Sequence, residues 1–428
     1  MKSSLTPLRG MKDICFDEYE IFKFVEDTAF TLSKTYGFQG IQTPILESIN
    51  VFDRTLGKSS DVISKEIYSF QDKKGRTIAL RPEFTASVMR AVLSNNLQQK
   101  LPLKLFSTGP LFRYDRPQEG RQRQFYQLNF EHIGKKGPSV DAEMISCSFH
   151  LLQKLGIAND LSLELNSLGC SESREKYQSA LVEYFKKYLN DLSEDSQKRL
   201  EKNPLRILDS KDKSDIEIAR DAPELDKFYT KESAQYFEKV KDILTALNIT
   251  YTENTKLVRG LDYYLGTVFE YTTTKLGAQS TVLAGGRYDL LAQMMGARSE
   301  IPAIGFAAGY ERIMLMREFQ IQKMRNVYIL TTEETAILPA IKLADYLRKN
   351  NIATCLEFEG KLAKRMQNAI SNNAQYIIFL GESEISAKYY TLRNLDSKEE
   401  KRIQFNQLKE ALTPTSNLHD LSITANKK

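Results

Sequence analysis

Arginine and aromatic residues are crowded into one short segment of this chain, between residues 111 and 131. The segment contains Arg113, Arg116, Arg121 and Arg123, interleaved with Phe112, Tyr114, Phe125 and Tyr126. A guanidinium group binds phosphate oxygens through paired hydrogen bonds, and its flat face can stack on a nucleobase. The segment is therefore suited to binding a nucleotide.

The second half of this segment has the alternation of a β-strand. Alternation places Gln127, Asn129 and Glu131 on one face, and Arg123 and Phe125 point the same way. Such a polar row is compatible with a solvated strand face and equally with the wall of a binding site. The segment alone leaves both interpretations open.

Two glycine patterns elsewhere resemble known motifs but lack their context. Gly57–Ser59 matches the end of a phosphate-binding loop, yet Phe52 stands where the first glycine of that loop is required. Gly305–Gly309 has the spacing of a membrane-helix dimerisation motif without the apolar segment around it. We interpret these small residues as the start of a helix that packs closely under a sheet.

The composition is that of a globular protein with more than one domain. The chain has 428 residues, of which 41% are hydrophobic and 27% charged, which predicts two or three domains. Its net charge of +5 permits a polyanionic partner without requiring one. Because no apolar run approaches the length of a membrane span and the N-terminus lacks an apolar signal core, we expect a cytoplasmic protein.

Neither disulfides nor protein-bound metal ions are predicted. The four cysteines contain no CxxC pair, so we expect reduced thiols at Cys15, Cys147, Cys170 and Cys355. The three histidines have no metal-binding spacing; they are His132, His150 and His419.

The first 320 or so residues predict an α+β domain in which helices flank an antiparallel sheet. Helices are predicted at about 17–36, 84–99 and 141–155, with another beginning at about 305–310. Strands are predicted at about 40–46, 104–114, 124–134, 161–165, 257–273 and 280–284, with a hairpin at 66–80. The charge-dense region at about 171–250 shows helical patterning, and we interpret it as an insertion.

Beyond residue 325 the pattern changes to a regular alternation. Strands at 327–330, 353–358 and 376–380 alternate with helices at 335–349 and 361–372. This pattern predicts a small α/β domain with a largely parallel sheet. We therefore divide the chain into a domain at 1–325, a second domain at 326–412 and a polar tail at 413–428.

Three segments resemble the signature motifs of the class II aminoacyl-tRNA synthetases, in the order in which that family has them. Gly40–Leu46, with Pro44, resembles the first motif, and Phe112–Asp115 with its arginine-bearing loop resembles the second. Gly305–Arg312 resembles the third motif. The resemblance implies a class II catalytic domain with a helical insertion, followed by an α/β anticodon-binding domain.

Further segments resemble the histidyl-tRNA synthetases within that class. Val258–Tyr264 and Gly285–Asp289 match the two histidine-specific motifs, and Leu80–Ala86 completes the set. The resemblance covers roughly residues 5–410. It implies that L-histidine is activated by ATP to a histidyl-adenylate and transferred to tRNA(His), with release of AMP and diphosphate.

The same resemblance implies the residues that would act on ATP. Arg113 would hold the α-phosphate and the amino-acid carboxylate, and Arg259 would supply a guanidinium where related enzymes use a metal. The implied ATP-binding residues are Arg113, Asp115, Arg121, Arg123 and Arg312. Mg²⁺ is implied on the β- and γ-phosphates, without a protein ligand.

The amino-acid site is implied in the same way. Glu83, Thr85 and Gln127 would take the α-amino end of histidine, while Glu131 and Tyr264 would meet the two imidazole nitrogens. The full implied set is Glu83, Thr85, Gln127, Glu131, Arg259, Tyr263, Tyr264 and Tyr288. A site that pairs every polar group rejects analogues, because a missing partner leaves a buried polar group unpaired.

Contacts with tRNA and with a second subunit are also implied. Arg116 and Gln118 would contact the end of tRNA(His), and Pro44 would lie at the interface of a homodimer. In the second domain, one helix carries residues that are either phosphate contacts or part of a solvated face, namely Lys361, Lys364 and Arg365.

Two positions depart from the family pattern. Asp115 stands where the family commonly has glutamate, so the resemblance implies a contact with the adenine amino group from a side chain that is one methylene shorter. Phe84 stands where a small residue is common, and we expect its ring to point away beneath the pocket.

Three other functions fit these residues less well. A synthetase-like regulatory subunit of histidine biosynthesis would lack both the second domain and an arginine like Arg259. A tRNA-sensing regulatory module would usually be fused to a larger effector domain. A class II synthetase for threonine, proline or glycine is disfavoured by the combination of Glu131, Arg259 and Tyr264.

Overall fold

The structure, a computed structural model, describes residues 5–55, 65–208, 210, 212–261, 263–277, 280–319 and 326–412. The Gly57–Ser59 pattern, Asp262, His419 and the polar tail at 413–428 lie outside the described residues. The chain divides into two compact units, Met1–Phe319 and Gln320–Lys428. None of the described helices combines the length and apolarity that a membrane span requires.

The larger unit is built on an eight-stranded sheet. With strands numbered in chain order, its spatial order is β1 (Gln39–Gly40), β5 (Leu103–Phe112), β6 (Gln124–Ile133), β11 (Ala303–Gly309), β10 (Thr281–Arg287), β9 (Thr267–Thr272), β7 (Ser162–Ser167) and β8 (Thr252–Glu253). Neighbouring strands are antiparallel except for the two edge pairs, β1 with β5 and β7 with β8. The predicted antiparallel sheet is confirmed.

The described part of the larger unit also contains α-helices outside the insertion. They are α1 (Phe16–Thr35), α2 (Ile49–Asp53), α3 (Thr85–Ser94), α4 (Pro138–Lys154), α9 (Leu291–Met294) and α10 (Tyr310–Leu315). Leu32 of α1 and Leu151 of α4 share one hydrophobic cluster with Phe130 and Phe306 of the sheet. The predicted helices at 17–36 and 141–155 are confirmed, whereas α3 ends before the predicted residue 99.

The segment between residues 39 and 80 differs from the prediction of one strand at 40–46. β1 pairs with β5, the chain then leaves that sheet, and β2 (Leu46–Ser48) joins a three-stranded sheet with β4 (Thr77–Leu80) and β3 (Ser69–Gln71). Pro44 lies in the crossing between the two sheets, where its missing N–H costs no ladder hydrogen bond. The predicted hairpin at 66–80 is present as β3 and β4.

The insertion is helical, as predicted for 171–250. Its described helices are α5 (Ser171–Lys186), α6 (Glu194–Lys202), α7 (Lys213–Arg220) and α8 (Lys231–Ala246). Asp215, at the start of α7, is fully buried and accepts hydrogen bonds from the hydroxyls of Ser193, Ser196 and Ser210 at 2.6–2.7 Å. This carboxylate therefore ties three segments of the insertion together.

Two further predictions for the larger unit are wrong. The described residues between 257 and 266 form no strand, since β9 begins only at Thr267. The helix predicted to begin at about 305–310 is present, since α10 begins at Tyr310, but the small residues from Gly305 to Gly309 form β11 and not the first turn of that helix. β11 is hydrogen-bonded to β6 on one side and to β10 on the other, so pairing within the sheet overrides the local spacing of small residues.

The smaller unit is an α/β domain with a five-stranded sheet. The spatial order is β13 (Thr354–Glu357), β12 (Asn326–Thr331), β14 (Ala374–Leu380), β15 (Tyr389–Asn394) and β16 (Glu400–Gln404). Its helices are α11 (Ile337–Lys349), α12 (Leu362–Ser371), α13 (Glu382–Ala387) and α14 (Phe405–Leu412). The first three strands are parallel, as predicted, whereas β15 and β16 add an antiparallel edge that the sequence did not reveal.

Arg365 of α12 is part of the interior of this domain and not of its solvated face. Only 6% of the residue is exposed, and its guanidinium donates to the carbonyls of Thr331 at 2.8 Å and Glu357 at 2.9 Å. The interpretation of Arg365 as a phosphate contact is therefore wrong, whereas Lys361 and Lys364 are exposed.

Replacing Arg365 with alanine should lower the stability of the smaller unit by about 2–4 kcal/mol, because hydrogen bonds from a charged group are lost and two carbonyls lose their donor. Thermal unfolding of the full chain, followed by calorimetry, measures the effect. Lys364→Ala, an exposed change on the same helix, should leave the transition in place. Equal unfolding temperatures for both variants would contradict the structural role of Arg365.

Candidate active site

A cavity of about 620 Å³ opens on the eight-stranded sheet. Its wall contains side chains from β6, β9, β10 and β11, together with the start of α3 and the loops that follow β5 and β8. The predicted site residues on this wall are Glu83, Thr85, Arg113, Asp115, Arg121, Gln127, Arg259, Tyr263, Tyr264 and Arg312. Phe125, Gln127 and Asn129 of β6 also border it, so the polar row of this strand faces a cavity.

The start of helix α3 positions Glu83 and Thr85. The Glu83 carboxylate accepts hydrogen bonds from the backbone N–H groups of Thr85 and Ala86, both at 2.7 Å. Burial raises the pKa of Glu83, although these hydrogen bonds and the nearby Arg113 oppose the rise. Phe84 borders the cavity, and its ring lies 4.3 Å from the Arg81 guanidinium within the hydrophobic core.

Glu131 lies just behind the cavity wall, paired in register with Gly305. Its Oε1 accepts from the Thr85 hydroxyl at 2.6 Å and from Asn129 Nδ2 at 2.9 Å, and its Oε2 accepts from the Tyr288 hydroxyl. A carboxylate can accept about four hydrogen bonds, so roughly one position remains for a ligand. Burial raises the pKa of Glu131 to about 7, against the effect of these three donors.

Tyr263 and Tyr264 border the same end of the cavity, and Tyr288 packs behind them, where it donates to Glu131. The ring centres of Tyr263 and Tyr264 are 4.7 Å apart, and those of Tyr263 and Tyr288 are 5.8 Å apart. Burial raises the pKa of all three hydroxyls, so each stays protonated and able to donate. Gly286 allows this packing, because a Cβ at that position would lie 2.9 Å from the Tyr264 ring.

Arg113 reaches the cavity from the end of β5. Its Nε donates to the carbonyl of Pro82 at 3.0 Å, and its guanidinium lies 5.3 Å from the centre of the Phe125 ring. Burial lowers its pKa, an effect that the carboxylates of Glu66 and Glu83 oppose. Arg113 is therefore a desolvated cation whose positive charge an anionic ligand would stabilise.

Arg259 borders the cavity from another side. It forms an ion pair with Glu270 of β9, and its guanidinium lies 5.3 Å from the centre of the Tyr264 ring. In the sheet, β6, β11 and β10 separate β9 from the strand that leads into Arg113. A ligand in the cavity would therefore meet one arginine from each side.

Arg312 connects the third motif to the arginine-bearing loop. Its guanidinium donates to the carbonyl of Thr281 and, at 3.4 Å, to that of Gly120. Burial and the positive charges of Arg113 and Arg121 lower its pKa. Arg121 itself pairs with Asp115 and lies 3.6 Å from Glu66, so ion pairs within the protein orient the charged side chains of this loop.

Six predicted residues are not on the cavity wall: Glu131 and Tyr288 lie behind it, and the other four lie beside it or on the surface. Arg123 packs beside it, with its guanidinium 3.8 Å from the Tyr114 ring centre. Arg116 and Gln118 are exposed on the loop, and Pro44 is exposed in the crossing between sheets.

Glu270 is a site residue that sequence reasoning missed. It borders the cavity, holds Arg259 and accepts from the Thr281 hydroxyl at 3.3 Å. The sequence places Glu270 in a predicted strand but does not indicate a functional role, because its partner Arg259 lies in a separate loop. Gly305 was misread for a related reason, since only the packing of β11 against β6 shows that its missing side chain makes room for Glu131.

This sheet and this arginine-lined cavity are those of a class II aminoacyl-tRNA synthetase. The histidyl-tRNA synthetase family model matches residues 10–313, and the anticodon-binding domain model matches residues 326–414. This chain belongs to the histidyl-tRNA synthetase family.

Individual relatives agree with that assignment. The histidine–tRNA ligases of Rickettsia bellii and Rickettsia canadensis are 53% and 52% identical over 412 residues, which is 96% of this chain and 99% of each relative. The crystal structure of apo histidyl-tRNA synthetase from S. aureus is similar with a TM-score of 0.82 at 32% identity, over 95% of this chain and 99% of that one.

Proposed function

We propose that this protein attaches L-histidine to tRNA(His) at the expense of ATP, through a histidyl-adenylate and with release of AMP and diphosphate. One observation carries the proposal: a single cavity combines buried carboxylates and tyrosines with arginines from three separate segments. Membership of the histidyl-tRNA synthetase family supports the same reaction.

Histidine would bind at the end of the cavity where Glu83, Thr85 and Gln127 approach the tyrosines. The Glu83 carboxylate would take the ammonium group. The remaining acceptor position of Glu131 would take one imidazole N–H, and the Tyr264 hydroxyl would donate to the other ring nitrogen. An amino acid without these nitrogens would leave buried groups unpaired, at about 1–3 kcal/mol each.

Activation joins the histidine carboxylate to the α-phosphorus of ATP and breaks the bond to the departing diphosphate. Negative charge develops on the α-phosphate oxygens, and Arg113 and Arg259 would stabilise it from two sides. Arg312 and Arg121 would hold the triphosphate and the adenine. Asp115 would exchange its ion pair with Arg121 for the adenine amino group, as far as its shorter side chain reaches.

Magnesium fits this site only as a companion of the nucleotide. The nearby carboxylates of Asp115 and Glu270 are paired with arginines, and the part of the chain that the structure describes contains no cluster of three potential metal ligands. A bound Mg²⁺ would neutralise charge on the β- and γ-phosphates.

The tRNA would meet both units of the chain. Arg116 and Gln118 are exposed on the loop beside the cavity, where the acceptor end would approach. The smaller unit, which matches the anticodon-binding domain model, would contact the anticodon. The protein would act in the cytoplasm as a homodimer, with Pro44 and the neighbouring exposed side chains of Ile45 and Leu46 at the interface.

Amino-acid-dependent exchange of labelled pyrophosphate into ATP, measured with each of the twenty amino acids, tests this proposal. We expect exchange with histidine alone, and charging of tRNA(His) when that RNA is added. Histidine binding without exchange would overturn the proposal and favour a regulatory subunit. Exchange with threonine, proline or glycine would point to another synthetase.

A further inference from the structure

The loop at residues 113–123 lies outside the regular ladder of the sheet. Pairing of β5 with β6 ends at Phe112 and Gln124, and one further backbone hydrogen bond joins Arg113 N–H to the Arg123 carbonyl at 2.9 Å. The loop nevertheless carries the groups proposed to meet ATP and tRNA. Its position must therefore be fixed by contacts from elsewhere.

An N-terminal turn supplies such a contact. Residues 8–11 form a turn closed by a hydrogen bond from Met11 N–H to the Leu8 carbonyl at 2.9 Å. The carbonyl of Gly10, within this turn, accepts from the N–H groups of Arg123 at 2.7 Å and Gln124 at 3.2 Å. The turn thus holds the returning end of the loop where the ladder stops.

Gly10 is packed against both limbs of the loop. A Cβ at this position would lie 2.8 Å from Arg123 Cγ and 2.9 Å from Pro117 Cγ. Its φ of +83° is also in the region that favours glycine. A larger residue there would force the turn or the side chains of Arg123 and Pro117 to shift.

Arg123 connects the N-terminal turn to the rest of the loop. Its Nε donates to the Asp115 carbonyl at 3.0 Å, and its guanidinium lies 3.8 Å from the centre of the Tyr114 ring. At the tip, Gly120 lies against Arg312 of the third motif, whose Nε donates to the Gly120 carbonyl at 3.4 Å. A displacement at Gly10 would therefore change the position of the whole loop.

We propose that the N-terminal turn at residues 8–11 is a brace that holds the 113–123 loop in the position required for ATP and tRNA, with Gly10 as a positioning residue. The brace acts through Arg123, whose side chain lies beside the cavity and not on its wall. The kinetic test of this inference rests on the proposed function, because it measures aminoacylation. The structural test does not depend on that function.

Gly10→Ala and Gly75→Ala form a matched pair that tests the brace. Gly75 has a similar φ of +75°, but a Cβ there would meet nothing within 4 Å, so only Gly10→Ala presses on the loop. We expect Gly10→Ala to lower kcat/KM for aminoacylation by about 10- to 100-fold, because small displacements of positioned groups are costly. KM for ATP and for tRNA should rise more than KM for histidine, and Gly75→Ala should stay within about twofold of the wild type.

A fluorescence readout keeps the brace separate from the reaction. The chain contains no tryptophan, so Tyr114→Trp provides a single reporter on the loop. In that background, without substrates, Gly10→Ala should change acrylamide quenching, and Gly75→Ala should not. Should Gly10→Ala fail to fold, Arg123→Met loosens the same contact from the loop side and should change quenching likewise.

The two possible failures are distinguishable. Equal quenching and equal kinetics in the Gly10 and Gly75 variants would overturn the brace. A wild type that exchanges no pyrophosphate with histidine would instead overturn the proposed function, while the quenching comparison would still decide whether the turn holds the loop.

Discussion

Replacing Arg259 with alanine should lower histidine-dependent pyrophosphate exchange by about 10²- to 10³-fold, equivalent to about 2.7–4 kcal/mol of transition-state stabilisation. The guanidinium is held in advance by Glu270 and lies beside Tyr264, at the border of the cavity. Its charge is then in place as negative charge develops on the α-phosphate. The loss should therefore appear mainly in kcat.

Two controls separate this effect from indirect causes. Lys256→Ala removes another cation that borders the cavity, but Lys256 is exposed and donates to the Arg220 carbonyl, so we expect exchange within about threefold of the wild type. Arg259→Ala combined with Glu270→Gln removes the carboxylate that the single variant leaves unpaired. Recovery of exchange in the double variant would show that the stranded carboxylate, and not the missing guanidinium, caused the loss.

Replacing Gly305 with alanine should weaken histidine binding at least about 100-fold, or by about 2.7 kcal/mol. The new Cβ would lie 1.6 Å from Glu131 Oε2 and 2.7 Å from the Phe130 carbonyl, so the Glu131 side chain must turn away. That movement breaks its hydrogen bond from Tyr288 and removes the acceptor proposed for the imidazole. Titration calorimetry with histidine, without ATP, measures the effect directly.

Gly309→Ala is the matched control for this change. Both glycines lie on β11, but a Cβ at Gly309 would meet nothing nearer than Arg312 Cγ at 4.0 Å. Histidine affinity should therefore be retained in Gly309→Ala. Similar affinities in the two variants would mean that Glu131 can relocate freely and does not define the histidine pocket.

The arrangement of the core could be predicted in large part from local pattern. α1 and α4 have apolar residues at helical spacing, and β5 and β6 are long strands joined by a polar loop. In the smaller unit, the alternation of strands and helices is equally clear through β14. Such elements are predictable because most of their signal lies within a window of ten to twenty residues.

The predictions that are wrong concern residues whose environment is set by a partner far away in the sequence and not by the local pattern. Gly305 is surrounded by small residues, but strands on both sides include it in the sheet. Arg365 has the spacing of an exposed helix residue, yet it is buried because its guanidinium donates hydrogen bonds to the Thr331 and Glu357 carbonyls. Neither partner can be identified without knowing which strands are adjacent.

From the sequence alone one could infer the family, the α+β plan and most of the predicted residues that border the cavity, because each motif is a set of residue types at short spacing. Only the tertiary structure shows that Glu270 pairs with Arg259, that Gly305 leaves space for Glu131, and that Gly10 contacts the arginine-bearing loop. These contacts join residues that are far apart in the chain. They depend on Cβ atoms, backbone carbonyls and close packing. Residue types alone do not indicate such contacts, because the contacts form only when the strands pair.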